Sequence, residues 1–113
     1  MEKPMMINVL GTQYSLQIKD KFEDPYLKQC DGYCDKTVHK IVIAKPDESN
    51  ELENYEIYQK KVMRHEIIHA FLFESGLHEN FKHDEYGHDE TMVDWVAAQF
   101  PKMLLTFQQV GCI

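Results

Sequence analysis

The sequence predicts an α+β fold. Three observations carry that expectation. Residues 6–19 alternate apolar and polar side chains, the run Ile41-Val42-Ile43 is β-branched, and from residue 51 the apolar period becomes helical. Strands first and helices second argue for segregated layers. At 113 residues the chain fits one domain, with a sheet half over 1–46 and a helical half over 50–113.

Ile7 and Val9 lead to a break at Gly11-Thr12, after which Tyr14, Leu16 and Ile18 share one face. Period 2 on both sides of a Gly predicts a hairpin. Residues 20–29 are charged and contain Pro25, the signature of a loop, and Asp31-Gly32 reads as a turn. A strand is predicted over residues 38–44, followed by a solvated loop over residues 45–49. Asn50 with Glu53 three residues on fits a capping box for a helix over 51–75, and Gly76 fits its C-terminal stop. The apolar stripe of that helix draws on Leu52, Tyr55, Val62, Met63, Ile67, Ala70 and Phe71. Residues 77–89 read as a polar loop. Asp89 is placed to cap a second helix with Val93, Val96, Ala97 and Phe100 as its stripe. Pro101 should kink or end it, although Met103-Leu104-Leu105 and Phe107 suggest a further helical segment.

Nineteen acidic against twelve basic residues give a net charge of -7, so a phosphate-rich partner is disfavoured and no nucleic-acid partner is expected. No apolar run approaches the roughly 18 residues of a membrane span, and the N-terminus has no apolar signal-peptide core. A cytoplasmic protein without membrane contact is expected. Cys30, Cys34 and Cys112 then read as reduced thiols in or near the core, with a shared metal as the alternative.

Five of the six His (His65, His69, His78, His83 and His88) fall within residues 65–88. His65-Glu66-Ile67-Ile68-His69 is an HExxH sequence inside the predicted long helix. Residues four apart on a helix differ by about 40° and about 6 Å of rise, so both imidazoles can reach one cation. Glu66 lies about 100° round from His65, where it suits a general base facing water rather than a ligand. A catalytic zinc needs a third protein ligand and an open position. Glu90, at the start of a rigid helix, is favoured, and Asp94 one turn later could accept the ring N–H of a ligand His. Glu74 points away from the His pair. His78, His83 and His88 read first as solvated loop residues, with His83 and His88 kept as second-rank site candidates; His39 has no assigned role.

His65-Glu66-x-x-His69 followed by Glu90-x-x-x-Asp94 resembles the gluzincin pattern of thermolysin-type peptidases. The stretch from Glu90 to Ala98 and the small size are similar to minimal zincins of the ImmA/IrrE type, although Asp94 stands where those carry Asn. Asp31-Gly32-Tyr33-Cys34-Asp35, Arg64 to Leu72, and Met92-Val93-Asp94-Trp95 through Gln99-Phe100-Pro101 look like short phage and prophage proteins of Gram-positive bacteria. Leu72 and Ser75 depart from the metzincin extension. The resemblance implies a minimal zincin-like fold, with a small sheet on a long HExxH helix and a second C-terminal helix. It implies one Zn²⁺ held by His65, His69 and Glu90, with Asp94 behind a ligand His and Glu66 as the catalytic base. The oxyanion-stabilising His or Tyr of larger peptidases has as its candidates Tyr86, His83 and His88. The expected activity is zinc-dependent hydrolysis of a peptide or protein substrate in a bacterial host cell. The alternatives are a non-catalytic zincin scaffold whose metal stabilises the fold, and an acidic antagonist of a host factor.

Overall fold

A computed structural model describes residues 3–47, 52–77 and 90–113, without the side chains of Glu90, Thr91, Val93, Asp94 and Ala97. Strand β1 (Met5–Val9) and strand β2 (Thr12–Lys19) form the expected antiparallel hairpin. Val9 pairs with Thr12, so the turn is Leu10-Gly11, one residue earlier than the predicted break; both turn residues have positive φ, as in a type I′ hairpin. The charged stretch after β2 contains a 3₁₀ turn, Pro25–Lys28, capped by Asp24, whose side chain accepts from the Tyr26 amide.

Asp31-Gly32 is not a turn. Gly32 opens strand β3 (Gly32–Asp35), and strand β4 is Lys40–Ala44. The turn falls at residues 36–39 instead, which removes Val38 from the predicted strand and leaves it 61% exposed. His39 sits at the end of that turn with φ 53°.

The sheet order is β1-β2-β4-β3, with β2 and β4 parallel and the two outer pairs antiparallel. Central position explains why β4 is apolar and buried from Ile41 to Ala44. Ile41 and Ile43 enter the main core with Ile7, Val9, Tyr14 and Leu16, while Val42 and Ala44 pack with Leu27 and Tyr33 in a second cluster. Neighbouring strand residues point to opposite faces. The helices therefore cover one face of the sheet and the 3₁₀ turn covers the other.

Helix α1 (Tyr55–Ser75) begins four residues later than predicted, because Asn54 is its cap: the Asn54 carboxamide accepts from the Ile57 amide at 3.3 Å. Asn50 lies outside the described residues, and Leu52 precedes the helix and is exposed. The C-terminal stop is Gly76, as predicted, with φ 81°. Met63, Glu66, Ile67, Ala70 and Phe71 form the buried stripe, and Ile68 is left out of it. Tyr55 and Gln59 both donate to the Ala44 carbonyl, tying the first turns of α1 to the end of β4.

Helix α2 (Glu90–Val110) does not end at Pro101 but runs on through the further segment expected over residues 103–107. Pro101 is on the exposed side, where water can serve the carbonyl that its missing N–H leaves unpaired. Val93 and Ala97 have side chains outside the description. Val96 and Phe100 are 43% and 46% exposed, so the buried contribution comes from Met103, Thr106 and Phe107 instead. Gly111 and Cys112 donate to Gln108 and Phe107 carbonyls in a Schellman close, which turns Cys112 into the core. Three bonds fasten this segment: Trp95 to Ser75 at 3.0 Å, Gln109 to the Met6 carbonyl at 3.0 Å, and Arg64 to the Cys112 carbonyl at 2.6 Å. No helix among the described residues is long and apolar enough to cross a membrane.

Helix α1 approaches β3 over Gly32. A Cβ there would lie 2.8 Å from Val62 Cγ1 and 3.2 Å from the Val42 carbonyl oxygen. Gly32→Ala should therefore cost about 1–3 kcal/mol by overpacking. Chemical denaturation of Gly32→Ala, alone and with Val62→Ala, checks this; the second change should recover part of the loss caused by the first.

Candidate metal and catalytic site

The HExxH segment occupies the middle of α1, and its residues have three different environments. Glu66 belongs to the buried stripe and is 8% exposed. His65 is exposed and His69 half-buried on the adjoining flank. The about 100° per residue of a helix produces this separation. The flank side chains converge: Nε2 of His65 and Nε2 of His69 are 3.1 Å apart. At the usual Zn–N length that separation subtends roughly 100° at a shared ion, close to tetrahedral. The pair therefore fits a zinc ion as two of its donors. The same separation also makes a hydrogen bond when one ring carries the proton.

The Phe73 ring stacks near-parallel to His69, with centroids 6.1 Å apart, and Lys36 Nζ lies 5.0 Å from the Phe73 centroid. One more turn of helix thus supports the second histidine from the side. The (i, i+4) spacing of His69 and Phe73 was legible in the sequence, but the residue types alone gave no reason to connect them.

Glu66 faces β3 and the chain that leads into it. A cleft of about 390 Å³ separates Cys30, Asp31 and Gly32 from Tyr58, His65 and Glu66. Burial pushes the Glu66 carboxyl above the usual range, against the opposing pull of His65. Its negative charge acts in turn on both nearby thiols. Cys34 is pushed up to about 12 by burial first, then by Glu66, Asp35 and Glu74. Burial also raises Cys30, with Glu66, Asp31 and Asp24 adding to it and the Gly32 amide opposing. Neither thiol is set up as a nucleophile.

All three cysteines are free thiols, and Cys112 lies in the core. Among the described residues no three His, Cys, Asp or Glu side chains are grouped to hold a metal, so the alternative of a shared Cys30, Cys34 and Cys112 site is not formed. Glu74 points to the hairpin, as its helical angle predicts. It accepts from Tyr14 Oη at 2.8 Å. Burial pulls its carboxyl upward, but bonds from Tyr14 and Thr12, with His39 nearby, leave it below the usual range. His39 packs on the Tyr14 ring with centroids 5.2 Å apart.

Glu90 is the first residue of α2, as the sequence predicts, and Asp94 lies one turn on; their side chains are outside the description. His78, His83, Tyr86, His88 and Asp89 fall outside the described residues. The Trp95–Ser75 bond brings the early part of α2 to the end of α1 that carries His69. Comparisons with protein-family models, curated proteins and solved structures return no match.

The raised Glu66 carboxyl has a consequence for stability. The folded state holds this proton more tightly than the unfolded chain, so the contribution favours folding in acid and is lost as pH rises through the folded-state pKa. In chelator at neutral pH, Glu66→Gln should raise the melting temperature. The gain should shrink as pH falls toward the range where the parent carboxyl is protonated. Thermal unfolding of both proteins across that range is the check.

Proposed function

We propose that this chain is a zinc-dependent peptidase of minimal zincin-like, gluzincin type, related to small phage and prophage proteins and acting in the cytoplasm of a bacterial host. The observation that carries the reading is the geometry of one helical turn and a half: two imidazole nitrogens 3.1 Å apart on a flank, beside a buried carboxylate with raised basicity. His65 and His69 are two ligands, Glu90 the third, and Asp94 orients a ligand ring. Zinc held there supplies Lewis acidity, which acidifies water and polarises a carbonyl. Glu66 accepts the proton of the attacking water and passes it to the departing amine. Its burial favours that role, since a carboxylate above its usual pKa is a better base near neutral pH. Tyr86, His83 and His88 remain the candidates for stabilising the oxyanion.

Substrate binding by strand addition also has support, at strand β3 rather than within residues 38–44. Strand β4, within residues 38–44, is paired on both sides and offers no edge. Strand β3 is the edge strand under α1. Ala44 donates to the Asp31 carbonyl, so alternation along the antiparallel ladder directs the amides and carbonyls of Gly32 and Cys34 away from β4. A substrate strand paired with those groups lies along the cleft in front of Glu66.

Glu66→Gln should retain one zinc per chain and lose roughly a hundred- to ten-thousand-fold in peptide cleavage. Unchanged cleavage by this variant overturns the mechanism. Zinc retention without any cleavage by the parent favours the non-catalytic scaffold. Metal analysis of Glu90→Ala and His83→Ala tests the third ligand: the first should lose zinc and the second should keep it.

A further inference from the structure

The cleft beside Glu66 does not end at Cys30. It continues past Cys30, Asp31 and Tyr58, which line both hollows, into a larger one of about 640 Å³. Resting on the peptidase reading, we infer that this extension is a substrate subsite for acidic side chains, so that the preferred substrates carry Asp or Glu a few residues to one side of the cut bond.

The argument is one of charge contrast. The chain carries -7 overall, with only twelve basic residues. Lys21, Lys28 and Lys45 border the larger hollow, and Lys61 borders the smaller one. The acids that border the larger hollow are already engaged. Asp31 accepts from Tyr58 Oη, and Asp47 pairs with Lys21 at 3.2 Å. Lys45 has a loose contact with Glu23 at 3.9 Å and also acts on Asp20, while Lys28 and Lys61 have no ion-pair partner among the described residues. Among the described residues, Lys28 and Lys61 thus bring unpaired ammonium groups and Lys45 a loosely paired one to the border of an open groove, on a molecule of net charge -7. A concave surface focuses such a field, favouring the approach of a negative group there and repelling it elsewhere.

The position is also right for a substrate that pairs with β3. The hollow lies beyond Gly32, off the first residue of that strand, so a bound strand running past Gly32 carries its next side chains into it. Tyr55 and Tyr58 form part of its wall, and each hydroxyl already donates to the protein, to the Ala44 carbonyl and to Asp31. Neither needs a hydrogen bond from the occupant, which leaves the lysines as the recognising groups.

The test is binding to the zinc-loaded Glu66→Gln protein, so that cleavage does not intervene. Fluorescein-labelled octapeptides that differ only in a terminal Glu-Glu, Gln-Gln or Lys-Lys pair, placed at either end, are titrated by anisotropy. The Glu-Glu peptide should bind about tenfold more tightly than the Gln-Gln peptide, with the advantage shrinking as salt is raised. Lys28→Glu with Lys45→Glu should abolish that advantage while leaving Gln-Gln binding and the melting temperature unchanged. Equal binding of the three peptides, no binding of any, or a preference that survives the lysine reversals each overturns the subsite. The two readings fail separately. Cleavage by the parent protein without charge preference removes the subsite and leaves the peptidase. A lysine-dependent preference in a protein that cuts nothing does the opposite.

Discussion

A carboxylate at the centre of a buried helical stripe is the constraint on which the site depends. Met63, Ile67, Ala70 and Phe71 are the side chains that seat α1 on the sheet, and Glu66 stands among them. An ionised group in that position loses hydration, and burial accordingly raises its pKa. A sequence selected only for stability would place an apolar residue there. The position instead keeps a base aimed into a cleft whose opposite wall is the chain around Cys30 and Gly32. The imidazoles escape the same penalty because the helical angle moves them to the half-open flank. One stripe thus both packs the helix and separates a buried carboxylate from a pair of converging imidazole nitrogens.

The sheet makes that arrangement possible by where it puts its edge. Parallel pairing of β2 with β4 places β4 in the interior, and β3 returns to the outside. Helix α1 then lies over β3 with no room for a side chain at position 32. The close approach brings the backbone of an edge strand beside Glu66. An alanine at that position would separate the helix from the edge and the base from any strand laid along it. Gly32 therefore links packing to chemistry, although it touches no reacting atom.

Much of this was readable in the residues. Period-2 alternation located the hairpin, Gly76 marked the end of α1, and helical geometry alone put His65 and His69 together and Glu66 on another face. The failures have physical reasons. Asp31-Gly32 carries turn chemistry, but here the glycine serves a contact with Val62, thirty residues on in the sequence, which no local pattern encodes. Asn50 and Asn54 are both good caps, and contacts of Tyr55 and Gln59 with Ala44 favour the later start. Pro101 loses one helical hydrogen bond, yet Met103 and Phe107 bury enough surface beyond it for the helix to continue. The lysine-lined hollow was hidden because its residues come from separate stretches between Lys21 and Tyr58 that only the fold brings together.

The second helix is where the proposed metal would matter most to so small a domain. Polar ties at Trp95, Gln109 and the Cys112 carbonyl join it to the rest of the described fold. Just past Trp95, the exposed Val96 and Phe100 lend the helix little burial. Glu90 is the first residue of that helix. A zinc ion shared between Glu90 and the His65–His69 pair would cross-link it to the middle of α1. Most of the ion's binding free energy would then also stabilise the docking of α2. Catalytic geometry and the last part of folding would be completed by the same event, with the ligand set remaining divided between the two helices until the ion arrives.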